Sequence, residues 1–147
     1  MFLSPVAGAV IVHSGRLLLM RRASPVGALL WTFPSGKVAS GEAASEAAVR
    51  EAGEEVGVSV APMVVLGSRV HPLSGRRVVY VACRLVGGEA HVASAREVAE
   101  VAWVDGGRLA ALVPGGLYGP VQAWVNGRLT GASAPASVCS RAAVAVR

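Results

Sequence analysis

The stretch Gly36-Lys37-Val38-Ala39-Ser40-Gly41-Glu42-Ala43-Ala44-Ser45-Glu46-Ala47-Ala48-Val49-Arg50-Glu51-Ala52-Gly53-Glu54-Glu55-Val56-Gly57-Val58 decides how the rest of the chain is read. Its first part, residues 35–41, carries two glycines and reads as a loop. From residue 42 to 56 the composition changes to Ala, Glu and Arg, which favour helix. The small residues Ala44, Ala47, Ala48 and Ala52 would let that helix lie close against a sheet, and Gly57 supplies a C-terminal stop. On such a helix Glu51, Glu54 and Glu55 stand at i, i+3 and i+4 and share one face. Three carboxylates that close raise one another's pKa unless a cation neutralises them. A hard divalent ion suits oxygen ligands and works with substrate phosphates. Arg50, four residues before Glu54, is within reach to orient it.

A Glu-rich helix face is common on protein surfaces, so the three glutamates alone would not decide the matter. The spacing around them does. The segment fills every fixed position of G-x5-E-x7-R-E-U-x-E-E-x-G-U, with Ala52 and Val58 in the hydrophobic class U. For this composition, chance agreement is on the order of one in a million. The chain thus resembles the Nudix hydrolases. The likeness continues outward: residues 17–22 followed by Trp31-Thr32-Phe33-Pro34 are similar to the lead-in of MutT-type members, and His71-Pro72, Tyr80 to Cys83 and Val101 to Val104 are similar to later segments of small bacterial members. Residues 5 to about 127 are covered. Ser35 departs from the family, which usually has Gly there.

The remaining segments fit a mixed sheet covered by helices. Residues 5–13 and 16–21 read as strands joined by a two-residue Ser14-Gly15 turn. Residues 25–30 read as a loop and 31–33 as a short strand stopped by Pro34. Residues 58–70 and 77–86 read as strands around a loop at 71–76, residues 101–104 as another strand, and 107–113 and 120–127 as helices. The resemblance implies an α/β (α+β) fold, an α/β/α sandwich with a mixed sheet and a loop–helix–loop catalytic motif. The expected domain spans 1–129, with 130–147 as a tail of low complexity.

The resemblance also implies roles. The Gly36 carbonyl and Glu51, Glu54 and Glu55 are expected to bind Mg²⁺, with Mn²⁺ as a substitute. Catalysis is expected from Glu51, Glu54 and Arg50, with Glu51 as ligand, general base or both. Glu42 and Arg50 are expected to hold the loop and the helix glutamates in place. Some relatives add a glutamate from a later loop; Glu97 and Glu100 are the candidates, and Glu97 is preferred. Candidate substrate contacts are Arg21, Lys37, His71, Arg76, Arg77 and Tyr118, with Arg22, Arg69, Phe33 and Tyr80 as further sources of charge or ring surface.

The expected reaction is hydrolysis of a phosphoanhydride in a nucleoside diphosphate derivative, first a (d)NTP giving NMP and pyrophosphate. ADP-ribose or a nucleotide sugar is the second substrate class and a dinucleoside polyphosphate the third. A Nudix-fold module that binds nucleotide or RNA without catalysis is the reading from another class. Against it, all the metal glutamates are present.

Composition bounds the rest. The chain has 147 residues and a net charge of +5, and five of its nine acids fall between Glu42 and Glu55. A basic body around one acidic focus suits a polyphosphate. No stretch approaches the ~20 apolar residues of a membrane span, and residues 1–15 lack a secretory pattern. Cys83 and Cys139 are far apart and lack neighbours at metal spacing. A cytoplasmic enzyme acting on a small nucleotide is expected, with no membrane partner. A nucleic-acid partner is not expected, because no basic stripe with interleaved aromatics exists. A homodimer follows only from the habits of relatives.

Overall fold

The computed structural model describes residues 4–27 and 29–131. In chain order the elements are β1 (Val6–His13), β2 (Arg16–Val26), β3 (Leu29–Thr32), β4 (Ser35–Lys37), α1 (Ala44–Val56), β5 (Ser59–Val70), β6 (Arg77–Gly87), β7 (Val98–Val104), α2 (Gly106–Leu112) and α3 (Gly119–Asn126). The strand order is β3-β2-β1-β6-β5, with β4 pairing to β1 and β7 to β2. Among the described strands only β1 and β6 pair in parallel, in the register Val6↔Val78 through Ile11↔Cys83. β1 and β2 share just Val12↔Leu17 and His13↔Arg16. The sheet therefore opens into two wings, β4-β1-β6-β5 and β3-β2-β7. The hairpin at their junction turns through Ser14 (φ 51°) and Gly15 (φ 77°), both left-handed, as a tight two-residue turn requires.

Period-2 alternation sends β1 and β2 side chains to opposite layers. Ala7, Ala9, Ile11, Leu18 and Met20 pack with Ala47, Ala48, Ala52 and Val56 of α1. Val10, Leu17 and Leu19 pack on the other side with Leu109 of α2 and Val121 and Val125 of α3. Helices thus cover both faces of a mixed sheet, the expected sandwich. Among the described residues no helix is long and apolar enough to cross a membrane.

Several boundaries differ from expectation. Ser35–Lys37 was expected in a loop but forms β4, antiparallel to β1 with Ala7↔Gly36. Three residues containing a glycine carry no strand signal of their own; the partner supplies it. The expected loop at 25–30 shrinks because β2 runs to Val26 and β3 begins at Leu29, past an irregular register. The helix starts at Ala44 and not at 42, because Glu42 still closes a turn by donating its N–H to the Ala39 carbonyl. β7 begins three residues early, at Val98, where it meets Arg22. Cys83 is buried and free. Backbone pairing continues to Thr130, whose N–H donates to Gly15 O and whose carbonyl accepts from Gly106 N–H, both at 2.9 Å. The remainder of the expected tail, 132–147 with Cys139, lies outside the described residues.

Candidate active site

α1 presents its carboxylates because both of its ends are tied down and its alanine face is committed to the sheet. Ala43, at the N-cap, has no side-chain acceptor, but the Glu46 carboxylate accepts from its N–H at 2.8 Å. At the other end Gly57 adopts φ 73° and its N–H donates to Gly53 O at 3.2 Å, a left-handed cap that glycine enters without a Cβ penalty. Ala47, Ala48 and Ala52 are fully buried, which brings the helix close to the sheet and turns Glu51 and Glu55 toward β4.

Arg50 is the hub. Its Nε and Nη2 donate to the two Glu42 carboxylate oxygens at 2.9 Å each, a bidentate pair that fixes loop to helix. Its Nη1 donates to Glu51 at 2.8 Å and to Glu54 at 3.3 Å, and Nη2 also reaches Lys37 O at 3.0 Å. The Arg50 guanidinium, helped by the Ala39 N–H, holds the Glu42 carboxyl down at about 2, and Glu42 in turn keeps Arg50 firmly protonated. Because the folded-state value lies below the ordinary 4.5, this stabilisation is fully present above pH 4.5 and is lost as pH falls toward 2. Thermal unfolding followed from pH 5 to pH 2 should therefore fall less steeply in Glu42→Gln than in the parent. Equal slopes would show that the pair contributes nothing to acid sensitivity.

The other glutamates are held in the opposite sense. Glu55 is 2% exposed, and burial pushes its carboxyl up to about 8, opposed by the Ser35 N–H that donates to it at 2.8 Å. Glu51, 8% exposed, is raised by burial despite Arg50, with the charges of Glu54 and Glu97 adding to the effect. Glu97 stands in the turn before β7, and its charge helps raise both Glu55 and Glu51. The segment carrying it is strapped to the end of α1 by His91 N–H to Val56 O and Ala93 N–H to Glu55 O, both 3.0 Å. Glu100 points elsewhere, in a salt bridge with Arg21 at 3.1 Å.

This donor set fits a hard divalent cation. Buried carboxylates with too few donors of their own are stabilised when a metal charge joins them. Gly36 lies directly under Glu51, so a methyl group there would land on the carboxylate. No three such groups are closed into a cage among the described residues, because Arg50 draws Glu51 and Glu54 while Ser35 holds Glu55.

The carboxylates line a cleft of about 910 Å³. Gly36, Lys37, Arg50, His71, Arg76 and Tyr118 all line it too, so most of the residues singled out in the sequence converge. Arg21 and Arg77 do not. Arg21 is drawn to Glu100, and Arg77, one strand residue out of phase with Val78, bonds Ser68 Oγ at 3.5 Å on the exposed side. His71 also has a local task, since its Nδ1 accepts from the Leu73 and Ser74 N–H groups. Burial lowers its pKa, and the Arg69 charge lowers it further. Arg76 donates to Ser4 O at 2.6 Å, yet its Nε is buried without a partner. Sequence reasoning missed Arg96, whose only signal was adjacency to Glu97, and Trp31, read there as part of a family lead-in; both line the cleft.

Comparison with known proteins gives a consistent picture. Residues 3–117 match the family model described as NUDIX domain. A Mycobacterium tuberculosis (strain CDC 1551 / Oshkosh) protein provisionally named mutator protein MutT4 is 36% identical over 58% of this chain and 37% of its own length. A Bacillus subtilis (strain 168) protein provisionally named 8-oxo-dGTP diphosphatase is 36% identical over 68% of this chain and 64% of its own. The chain thus spans less than two thirds of either relative. In fold it is similar to a NUDIX hydrolase structure from Nitrosomonas europaea, with TM-score 0.69, 19% identity, and coverage of 87% of this chain and 92% of that one.

Proposed function

Because the chain belongs to the NUDIX family, we propose that it hydrolyses a phosphoanhydride bond of a nucleoside diphosphate derivative with Mg²⁺ or Mn²⁺, and that its leading substrates are (d)NTPs, cleaved to NMP and pyrophosphate. The observation that carries this reading is the gathering of Glu51, Glu54, Glu55 and Glu97 on one side of a cleft otherwise charged by Arg22, Lys37, Arg69, Arg76 and Arg96. Carboxylates without cations there would repel a polyphosphate, and cations without carboxylates could not hold a metal.

Glu51, Glu54, Glu55 and the Gly36 carbonyl would hold the ion, with Glu97 completing the set. When bound, the ion supplies charge neutralisation on the phosphate oxygens and favours in-line attack by water. Glu51, whose pKa burial raises, takes the proton released by the attacking water. Arg50 positions Glu51 and Glu54 and passes no proton. Lys37 and Arg76 hold phosphate oxygens away from the reacting bond, and Arg76 has an unpartnered Nε to spend on one.

The relative provisionally named 8-oxo-dGTP diphosphatase favours the nucleoside triphosphate class. ADP-ribose and nucleotide sugars are the second reading, since both wings carry ring surface with cations: Trp31 with Arg22 on one, Tyr118 with Arg69 on the other. Initial rates with Mg²⁺ on dNTPs, 8-oxo-dGTP, ADP-ribose, nucleotide sugars and diadenosine polyphosphates test the choice. We expect the highest kcat/KM on a nucleoside triphosphate with pyrophosphate as product; orthophosphate release, or preference for ADP-ribose, would reverse it. The same reading takes the enzyme as cytoplasmic and homodimeric, with a single domain over 1–129. Light scattering checks the assembly.

A further inference from the structure

We propose that Arg69 selects the base, and that it selects a purine with a carbonyl at C6, guanine above adenine. The proposal rests on the nucleotide-hydrolase reading above and adds the part of the substrate that the metal end of the cleft leaves unread.

Arg69 sits in an aromatic mount. Its guanidinium carbon lies 5.1 Å from the Tyr118 ring centre and 5.9 Å from that of Tyr80. Its Nε donates to the Tyr80 hydroxyl at 3.3 Å. The two tyrosine rings are 5.3 Å apart, and the Tyr118 hydroxyl donates to Ser68 O at 3.1 Å. Tyr118 is seated directly on Gly67, where an added Cβ would stand 2.9 Å from its hydroxyl. A guanidinium stacked and anchored in this way loses little freedom on binding, and its planar fork is pre-organised.

The mount leaves that fork unemployed. Among the described residues Arg69 makes no salt bridge, and its terminal nitrogens donate to no protein acceptor. The carboxylates of the cleft are the four glutamates of α1 and the turn before β7, and no Asn, Gln or Asp lines it among the described residues. A guanidinium has donors only, so a base edge read by Arg69 must offer acceptors. Two adjacent acceptors that match an Arg fork occur on guanine, at O6 and N7, whereas adenine presents an N6 donor beside N7. The tyrosine rings beside it supply stacking surface for the ring.

Position agrees with this assignment. The rung Lys37, Val6, Val78, Arg69 crosses β4, β1, β6 and β5. Three strand spacings separate Lys37 from Arg69, about 14 Å. That is the scale of a nucleotide whose phosphates lie beside Gly36. Between them stand Val6 and Val78, and both line the cleft.

The test is kcat/KM for dGTP, dITP, dATP and 7-deaza-dGTP on the parent, Arg69→Met and Arg69→Lys, with Kd values for dGMP and dAMP by calorimetry. In the parent, dGTP and dITP should exceed dATP by about tenfold or more, the discrimination expected of a bidentate pair. 7-Deaza-dGTP should fall several-fold below dGTP. Both variants should bring dGTP and dATP to within about twofold, chiefly through KM. Arg69→Lys keeps the charge and loses only the fork, so it separates base reading from phosphate holding and from misfolding. Equal parent activity on dGTP and dATP overturns the proposal. So does an equal loss on every nucleotide in Arg69→Met that Arg69→Lys restores, which would mark a phosphate clamp. If no nucleotide is turned over, the hydrolase reading fails separately, and the dGMP to dAMP affinity ratio still decides the role of Arg69.

Discussion

Replacing Glu54 by Gln is expected to lower Mg²⁺-dependent turnover about 10²–10³-fold, the range seen when one pre-organised group serving a developing charge is removed. The protein should keep its melting temperature. Glu54 has a side chain 59% exposed, and its one protein partner among the described residues is Arg50 at 3.3 Å. Exposed substitutions of that kind cost within about 0.5 kcal/mol. The isosteric amide leaves the shape and removes the charge, so function and fold should separate cleanly. Activity across a Mg²⁺ titration, alongside thermal unfolding, measures both. Parent-like turnover at parent-like Mg²⁺ would mean that the metal assignment of this helix face is wrong.

Replacing Gly36 by Ala should damage both activity and stability. Glu51 occupies the space the new methyl needs. The carboxylate cannot simply swing aside, because it is nearly buried and bonded to Arg50 at 2.8 Å. The backbone cannot retreat either, because Gly36 is paired opposite Ala7. Overpacking of this kind costs about 1–3 kcal/mol, and a displacement near 1 Å at a reacting group costs about 10²-fold in rate. Gly8→Ala is the matching control: it too lies on the cleft, but the new Cβ would meet nothing nearer than 3.8 Å. It should fold normally. If Gly36→Ala matched the control in both rate and melting, the close approach of Gly36 to Glu51 would have no functional weight.

The helix and its glutamates were legible because their signal is local. Propensity, the alanine face, the Gly57 stop and the i, i+3, i+4 spacing all act within one turn or two. β4 was not legible, since Ser35-Gly36-Lys37 becomes a strand only when β1 lies alongside. The sequence preferred Glu97 to Glu100 but held no contact to explain it; the strap from residues 91 and 93 to the end of α1 brings Glu97 near Glu55, while Glu100 pairs with Arg21. Among the arginines, Arg22, Arg69, Arg76 and Arg96 reach the cleft while Arg21 and Arg77 do not. Strand phase, a bulge and a competing carboxylate make that division, and none of the three is a property of a single residue.

What the amino-acid order alone determined is the chemistry at one end of the cleft: a run of carboxylates and one arginine whose covalent spacing brings them together on any helix that forms. Tertiary structure decided everything that chain neighbours cannot, namely the burial that raises Glu55 and Glu51, the seat of Glu51 on Gly36, and the mounting of Arg69 between rings eleven and forty-nine residues further along. The reason is range. Helical periodicity acts over a few residues, while desolvation and close packing depend on which distant segments the sheet lays side by side.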